Sequence, residues 1–106
     1  MSREVVVVDG VRTPYTKAGT QLKDVPAQEL GRIVTVELLA RTGFAPEELD
    51  EVIFGNIAEP PDAVNVARVA ALRAGVPAGV PAFTVNRLCG SGLQAIVDAY
   101  YRIAAG

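Results

Sequence analysis

The 106-residue chain has no histidine, a single cysteine and no excess of positive charge, and each shortage removes a class of function. Without histidine the commonest general base is absent, and one cysteine with no imidazole cannot assemble a zinc site. A lone cysteine cannot close an intrachain disulfide, so a reducing, cytoplasmic compartment is the expectation. Ten Lys plus Arg stand against twelve Asp plus Glu, a formal charge of −2, which leaves no basic stripe for phosphate backbones. Nucleic acid is therefore not an expected partner. No apolar run approaches membrane-spanning length, and Met1 to Glu4 lead into only four valines before Asp9, too few for the h-region of a signal peptide. No membrane partner is expected either.

What is present is the make-up of one globular domain, 50% hydrophobic and 21% charged. A chain this short buries roughly 60 to 70% of the surface its unfolded form exposes, so its core is modest. Val5 to Val8, closed by Asp9-Gly10, reads as a first strand buried on both faces. Asp24-Val25-Pro26 offers an N-cap with proline in the first turn, and Leu30, Ile33, Val34 and Leu38 then repeat at helical spacing up to Gly43, a C-cap glycine. Pro46-Glu47-Glu48 makes a turn or a single helical turn, and Val52-Ile53-Phe54 a second strand ended by Gly55. Asn65 to Ala74 is a short alanine-rich helix closed by Gly75, and Val80 to Val85 a third strand in which Pro81 suits the strand's start. From Gly90 onward Leu93, Ile96, Val97, Tyr100 and Ala104 share one helical face. The order β-α-β-α-β-α places the chain in the α/β class, with a mixed, mainly parallel sheet.

The chemistry concentrates in Asn86-Arg87-Leu88-Cys89-Gly90-Ser91-Gly92-Leu93-Gln94-Ala95, a strand end that turns through glycines into a helix. A lone cysteine in an apolar chain is ordinarily a buried small hydrophobe. At the first turn of a helix, however, free backbone N–H groups and the helix dipole favour the thiolate over a thiol whose usual pKa is about 8.5. The same N–H groups can receive a developing oxyanion, and the flanking glycines leave room for a carbonyl to approach the sulfur. Gly90 to Ala95 also satisfies the G-x-G-x-x-G/A dinucleotide fingerprint. That reading stays open but lacks its ribose-binding acid about twenty residues on, and the fingerprint belongs to the first strand-helix turn.

The segment Val85 to Ala95 resembles the nucleophile motif of thiolases. Val11-Arg12-Thr13-Pro14, Val52-Ile53-Phe54-Gly55-Asn56 and Asn65-Val66-Ala67-Arg68 are similar to thiolase segments in the same order, so the resemblance spans most of residues 1–106. It implies an incomplete thiolase-like N-terminal half-domain, part of a longer chain, with Cys89 as the catalytic nucleophile. Cys89 would attack the keto carbonyl of a 3-ketoacyl-CoA and pass the acyl group to CoA, or, once acetylated, receive an enolate from acetyl-CoA. Acyl-CoA and CoA are the implied partners, acting as substrates with no separate cofactor, and a homodimer or homotetramer the implied assembly. Asn86-Arg87-Leu88-Cys89 resembles the 3-ketoacyl-CoA branch slightly more than the acetoacetyl-CoA branch. A ketoacyl synthase and a non-catalytic acyl-CoA- or lipid-binding relative are the alternatives. Thiolases carry a Gly-His-Pro histidine and a second cysteine in Cys-Gly-Gly, neither of which exists here, so these residues alone are expected not to turn over.

The remaining polar candidates have plainer readings. Arg12 and Thr13 are expected to tie a loop to the sheet. Arg68 either reaches a subunit interface, as the resemblance suggests, or is solvated on its helix. Asp98 and Arg102 are spaced for an i, i+4 ion pair, and Glu47-Glu48 with Asp50-Glu51 reads as a solvated acidic run.

Overall fold

A parallel strand pair with helices on both sides organises residues 3–106, which the computed structural model describes; Met1 and Ser2, where the leader reading begins, lie outside them. The elements are α1 (Ala27–Thr42), a 3₁₀ turn (Pro46–Glu48), β1 (Val52–Gly55), α2 (Val66–Arg73), β2 (Ala82–Val85) and α3 (Ser91–Ala105). β1 and β2 run parallel, with Val52 opposite Ala82 and Gly55 opposite Val85, joined by the crossover through α2. Pro81 lies just before β2, where its carbonyl accepts the Val52 N–H at 3.0 Å and its missing donor does no harm.

Alternation along the strands sends side chains to opposite faces. Val52 and Phe54 join Ala67, Ala71, Val76 and Val80 in a core on the α2 side. Alanine makes this packing close: Ala67 and Ala70 are fully buried, and α1 approaches from behind through Gly31, where a built Cβ would lie 2.7 Å from the Phe54 ring and 2.9 Å from Ala70 Cβ. Asn65 caps α2 by accepting the Arg68 N–H, and it binds the sheet by donating to the Ala82 carbonyl at 3.1 Å. Thr84 completes the joint, donating to Asn65 Oδ1 and accepting from the Ala67 N–H. The opposite face, with Ile53, Gly55 and Phe83, belongs to α3.

Several expectations need correction. Val5–Val8 is not a strand: no ladder forms there among the described residues, and Val7 is 87% exposed. A four-residue β-branched run supplies propensity but not the neighbouring strands on which sheet hydrogen bonds depend. The first helix starts after Pro26, not at Asp24, because a residue preceding proline is held extended. It does end as expected, on Gly43 with φ 75° and its N–H bonded to the Leu39 carbonyl. Ile33 is exposed rather than part of the buried stripe, since Gly31 and Gln28 form the contact face of α1.

On α3, Leu93, Ile96 and Tyr100 are half exposed or more, so the expected core face is largely uncovered. Asp98 does not pair with Arg102. Arg102 instead bonds Glu51 at 3.0 Å and lies 5.0 Å from the centre of the Phe83 ring, while Asp98 accepts from Gln94. The acidic run is accordingly more than solvation: Glu51 takes that arginine and Glu48 accepts the Ala45 N–H at the start of the 3₁₀ turn. Arg68 is used within the chain, donating to the carbonyls of Val80 and Ala78. Arg12 is exposed, beside Arg41 in a shallow depression, and the expected tie to the sheet is not formed among the described residues.

Candidate active site

Parallel strands end together, so the loops that follow β1 and β2 lie side by side at the sheet's carboxyl edge, the usual place for a site in open α/β sheets. The Asn56 N–H bonds the Val85 carbonyl at 3.1 Å and extends the pairing one residue into both loops. The only two non-glycine residues with positive φ among those described stand there: Glu59 at 46° after β1, and Leu88 at 49° after β2. Backbone strain of this kind persists only where surrounding contacts enforce it.

Those contacts are explicit around Leu88. Asn86 accepts the Leu88 N–H on Oδ1 at 3.0 Å and donates through Nδ2 to Glu59 at 3.3 Å, linking the two strained loops. The buried Ser91 hydroxyl donates to the Leu88 carbonyl at 2.6 Å and accepts the Arg87 N–H at 2.8 Å. The N–H groups of Gly90 and Ser91 bond back to the Arg87 and Leu88 carbonyls, closing a tight elbow. Arg87 reaches Gln94 at 2.7 Å, and Gln94 in turn donates to Asp98, bracing the elbow along α3.

At the outside of this elbow stands Cys89, exposed and free. It lies just ahead of the helix, before the N-cap Gly90, rather than within the first turn as the sequence reading had it. The N–H groups of Cys89, Gly92 and Leu93 have no acceptor among the described residues, so donors remain for an oxyanion at the helix start. Gly92 has open space where a Cβ would stand, as expected for carbonyl access, whereas Gly90 is packed on the Arg87 carbonyl and serves the turn. The dinucleotide reading loses support here, since two of the N–H groups a phosphate would use are consumed inside the elbow.

Seating of α3 against the sheet depends on Gly55. A Cβ built there would fall 2.3 Å from the Ser91 carbonyl carbon and oxygen and 2.5 Å from the Gly92 nitrogen, so only glycine admits the helix start at this distance. Sequence reasoning found Cys89 but passed over Ser91, Asn86 and Gly55. An asparagine two residues before an N–H at a strand end is a turn signal that points to Asn86. Ser91, set between glycines, reads as a spacer until its burial is seen.

An exposed cysteine on a strained elbow before a helix, beside N–H groups with no acceptor among the described residues, is an arrangement that can present a sulfur to a carbonyl. Residues 5–106 match the family described as thiolase, N-terminal domain, and the chain belongs to the thiolase family. It is 47% identical over 106 residues to a probable acetyl-CoA acyltransferase of Staphylococcus epidermidis, covering 100% of this chain and 27% of that protein. A probable acetyl-CoA acyltransferase of Staphylococcus aureus is 46% identical over 102 residues, covering 96% of this chain and 26% of that protein. The crystal structure of the Bacillus anthracis acetyl-CoA acetyltransferase superposes with a TM-score of 0.93 at 42% identity, over 97% of this chain and 26% of that one. The Acat5 thiolase of Ascaris suum, in complex with coenzyme A, superposes with a TM-score of 0.87 at 29% identity, over 92% and 25%. The chain thus spans about a quarter of the length of these relatives.

Proposed function

We propose that this chain supplies the nucleophile of a thiolase-type acyltransferase, with Cys89 as the acyl acceptor. The observation that carries the reading is the exposed Cys89 on its elbow beside unfilled N–H donors of α3. In the thiolytic direction the Cys89 thiolate adds to the keto carbonyl of a 3-ketoacyl-CoA, and the N–H donors stabilise the resulting oxyanion. The adduct collapses with cleavage of the bond between the α and β carbons. Acetyl-CoA departs as its enolate, which takes up a proton, and an acyl-cysteine remains. A CoA thiolate then displaces Cys89, forming acyl-CoA and regenerating the enzyme, so the scheme is ping-pong. In reverse, acetylated Cys89 accepts an acetyl-CoA enolate. The names of the Staphylococcus and Bacillus relatives, and the coenzyme A in the Ascaris structure, support CoA thioesters as substrates in either direction.

The 106 residues hold neither a histidine to deprotonate the thiol nor a second cysteine to protonate the enolate. These residues alone are therefore inactive in turnover, and a reducing compartment keeps Cys89 available for acylation. Incubation with acetoacetyl-CoA, intact mass measurement and peptide mapping test the reading. In a longer chain that supplies the histidine and second cysteine, one acetyl group is expected on Cys89, absent from its Cys89→Ser variant. Acetylation at another residue overturns the assignment, and steady release of acetyl-CoA by the 106-residue chain overturns the predicted inactivity.

A further inference from the structure

We propose that Asn86 and Ser91 are positioning residues that clamp Leu88 in its left-handed conformation and so fix where the Cys89 sulfur stands; this rests on Cys89 being the acyl acceptor. The two dihedrals of Leu88 turn its preceding and following peptide groups relative to each other, and both groups are held. Asn86 Oδ1 takes the N–H of the preceding peptide at 3.0 Å, and the Ser91 hydroxyl donates to the carbonyl of the following one at 2.6 Å. That second peptide carries the nitrogen of Cys89, so the clamp acts directly on the residue that bears the thiol.

Both arms are anchored. Ser91 is 5% exposed and its backbone lies against Gly55 so closely that a methyl group there would collide with it. Its hydroxyl is used twice, as donor to Leu88 and as acceptor from the Arg87 N–H. Asn86 is oriented by the hydrogen bond that its Nδ2–H donates to the carboxylate of Glu59, the other strained residue, so the two loops at the sheet's carboxyl edge constrain one another. A glycine at position 88 would adopt φ 49° without strain, yet a leucine stands there, and at 68% exposure it is not retained for the core of residues 3–106. Strain enforced by converging side chains, next to the nucleophile, is the signature of a held geometry.

The test compares the parent chain with Asn86→Ala, Ser91→Ala and Ser91→Thr, using p-nitrophenyl acetate as acyl donor and iodoacetamide as an orientation-tolerant control. In the acylation, the Cys89 thiolate adds to the ester carbonyl and p-nitrophenolate leaves; site-resolved mass spectrometry reads acetyl-Cys89. Both alanine variants are expected to slow acetylation about tenfold or more, a loss consistent with a sub-ångström displacement of the nucleophile. Iodoacetamide alkylation is expected to be nearly unchanged, and Ser91→Thr, which keeps the hydroxyl, restores the parent acetylation rate. Amide hydrogen exchange gives a readout independent of Cys89 chemistry: the Leu88 N–H loses protection in Asn86→Ala and the Arg87 N–H in Ser91→Ala. Should Ser91→Ala fail to fold, Asn86→Ala decides, because Asn86 is exposed. Parent-like acetylation of Cys89 in the folded alanine variants overturns the clamp and leaves Cys89 as nucleophile. Acetylation of the parent at some other residue overturns the nucleophile reading alone; the clamp then falls if the exchange rates are also unchanged.

Discussion

The two faces of the strand pair are finished to different degrees. On one, α2 and α1 close over Val52 and Phe54 with alanines and a glycine, and the buried cluster is continuous. On the other, α3 covers Ile53 and Gly55 only in part: Leu93 and Ile96 are 68% and 62% exposed, and an open cleft of about 1000 Å³ runs between α3 and β1. Small side chains explain the first face, because they let backbones approach until no gap remains. The second face has larger apolar residues and nothing among the described residues to bury them, so its apolar area contributes little to the stability of this chain. The Cys89 elbow sits on that less finished face, where the start of α3 packs closely on Gly55.

The largest expected effect breaks the anchor. Gly55→Ala forces backbone against backbone, which a side-chain rotation cannot relieve, and should cost about 3 kcal/mol of unfolding free energy or more. It should also slow acetylation of Cys89; denaturant titration and site-resolved mass spectrometry check the two effects. A substitution pair then sharpens the contrast between faces. Val52→Ala, on the closed face, should lose about 2 kcal/mol, whereas Ile96→Gln, on the open face, should change stability by no more than about 0.5 kcal/mol. Equal losses in urea melts would mean that the two faces are equally packed in solution.

The smallest effect lies at a half-buried ion pair on α1. Arg32 bonds Glu29 through two nitrogens, holding the carboxyl below its usual pKa of 4.5, with the opposing effect of burial smaller. A depressed carboxylate pKa contributes stability above the unfolded value, and that contribution is lost as pH falls through the folded value. Acid titration of Glu29→Gln should therefore converge with the parent below the folded pKa and diverge only above it. Added salt should shrink the difference, since the pair is substantially solvated.

Most of the architecture was legible because its signals are local. Gly43, Gly75 and the proline at position 81 punctuate the chain where elements end or begin, and the alanine-rich stretch after Asn65 reads correctly as a closely packed helix. What failed depended on partners distant in sequence. Val5 to Val8 has strand propensity and no ladder among the described residues; Arg102 finds Glu51 across the fold rather than Asp98 one turn away; and periodicity puts the apolar stripe of α3 inward but cannot say whether a neighbour is present to cover it. In the candidate site, Cys89 was legible as a candidate from the glycines around it. The hydroxyl of Ser91 was not, because its importance comes from a left-handed leucine that no periodicity reveals.

Gly55 also acts as a check on assembly. If β1 slipped by one residue against β2, the chain would shift about 3.3 Å and every side chain of the strand would change faces. Phe54 or Asn56 would then stand where only a hydrogen atom fits, and α3 would be refused its seat. Misregistered chains would thus be unable to display the cysteine at the helix start, so the same glycine that permits the correct fold proofreads it.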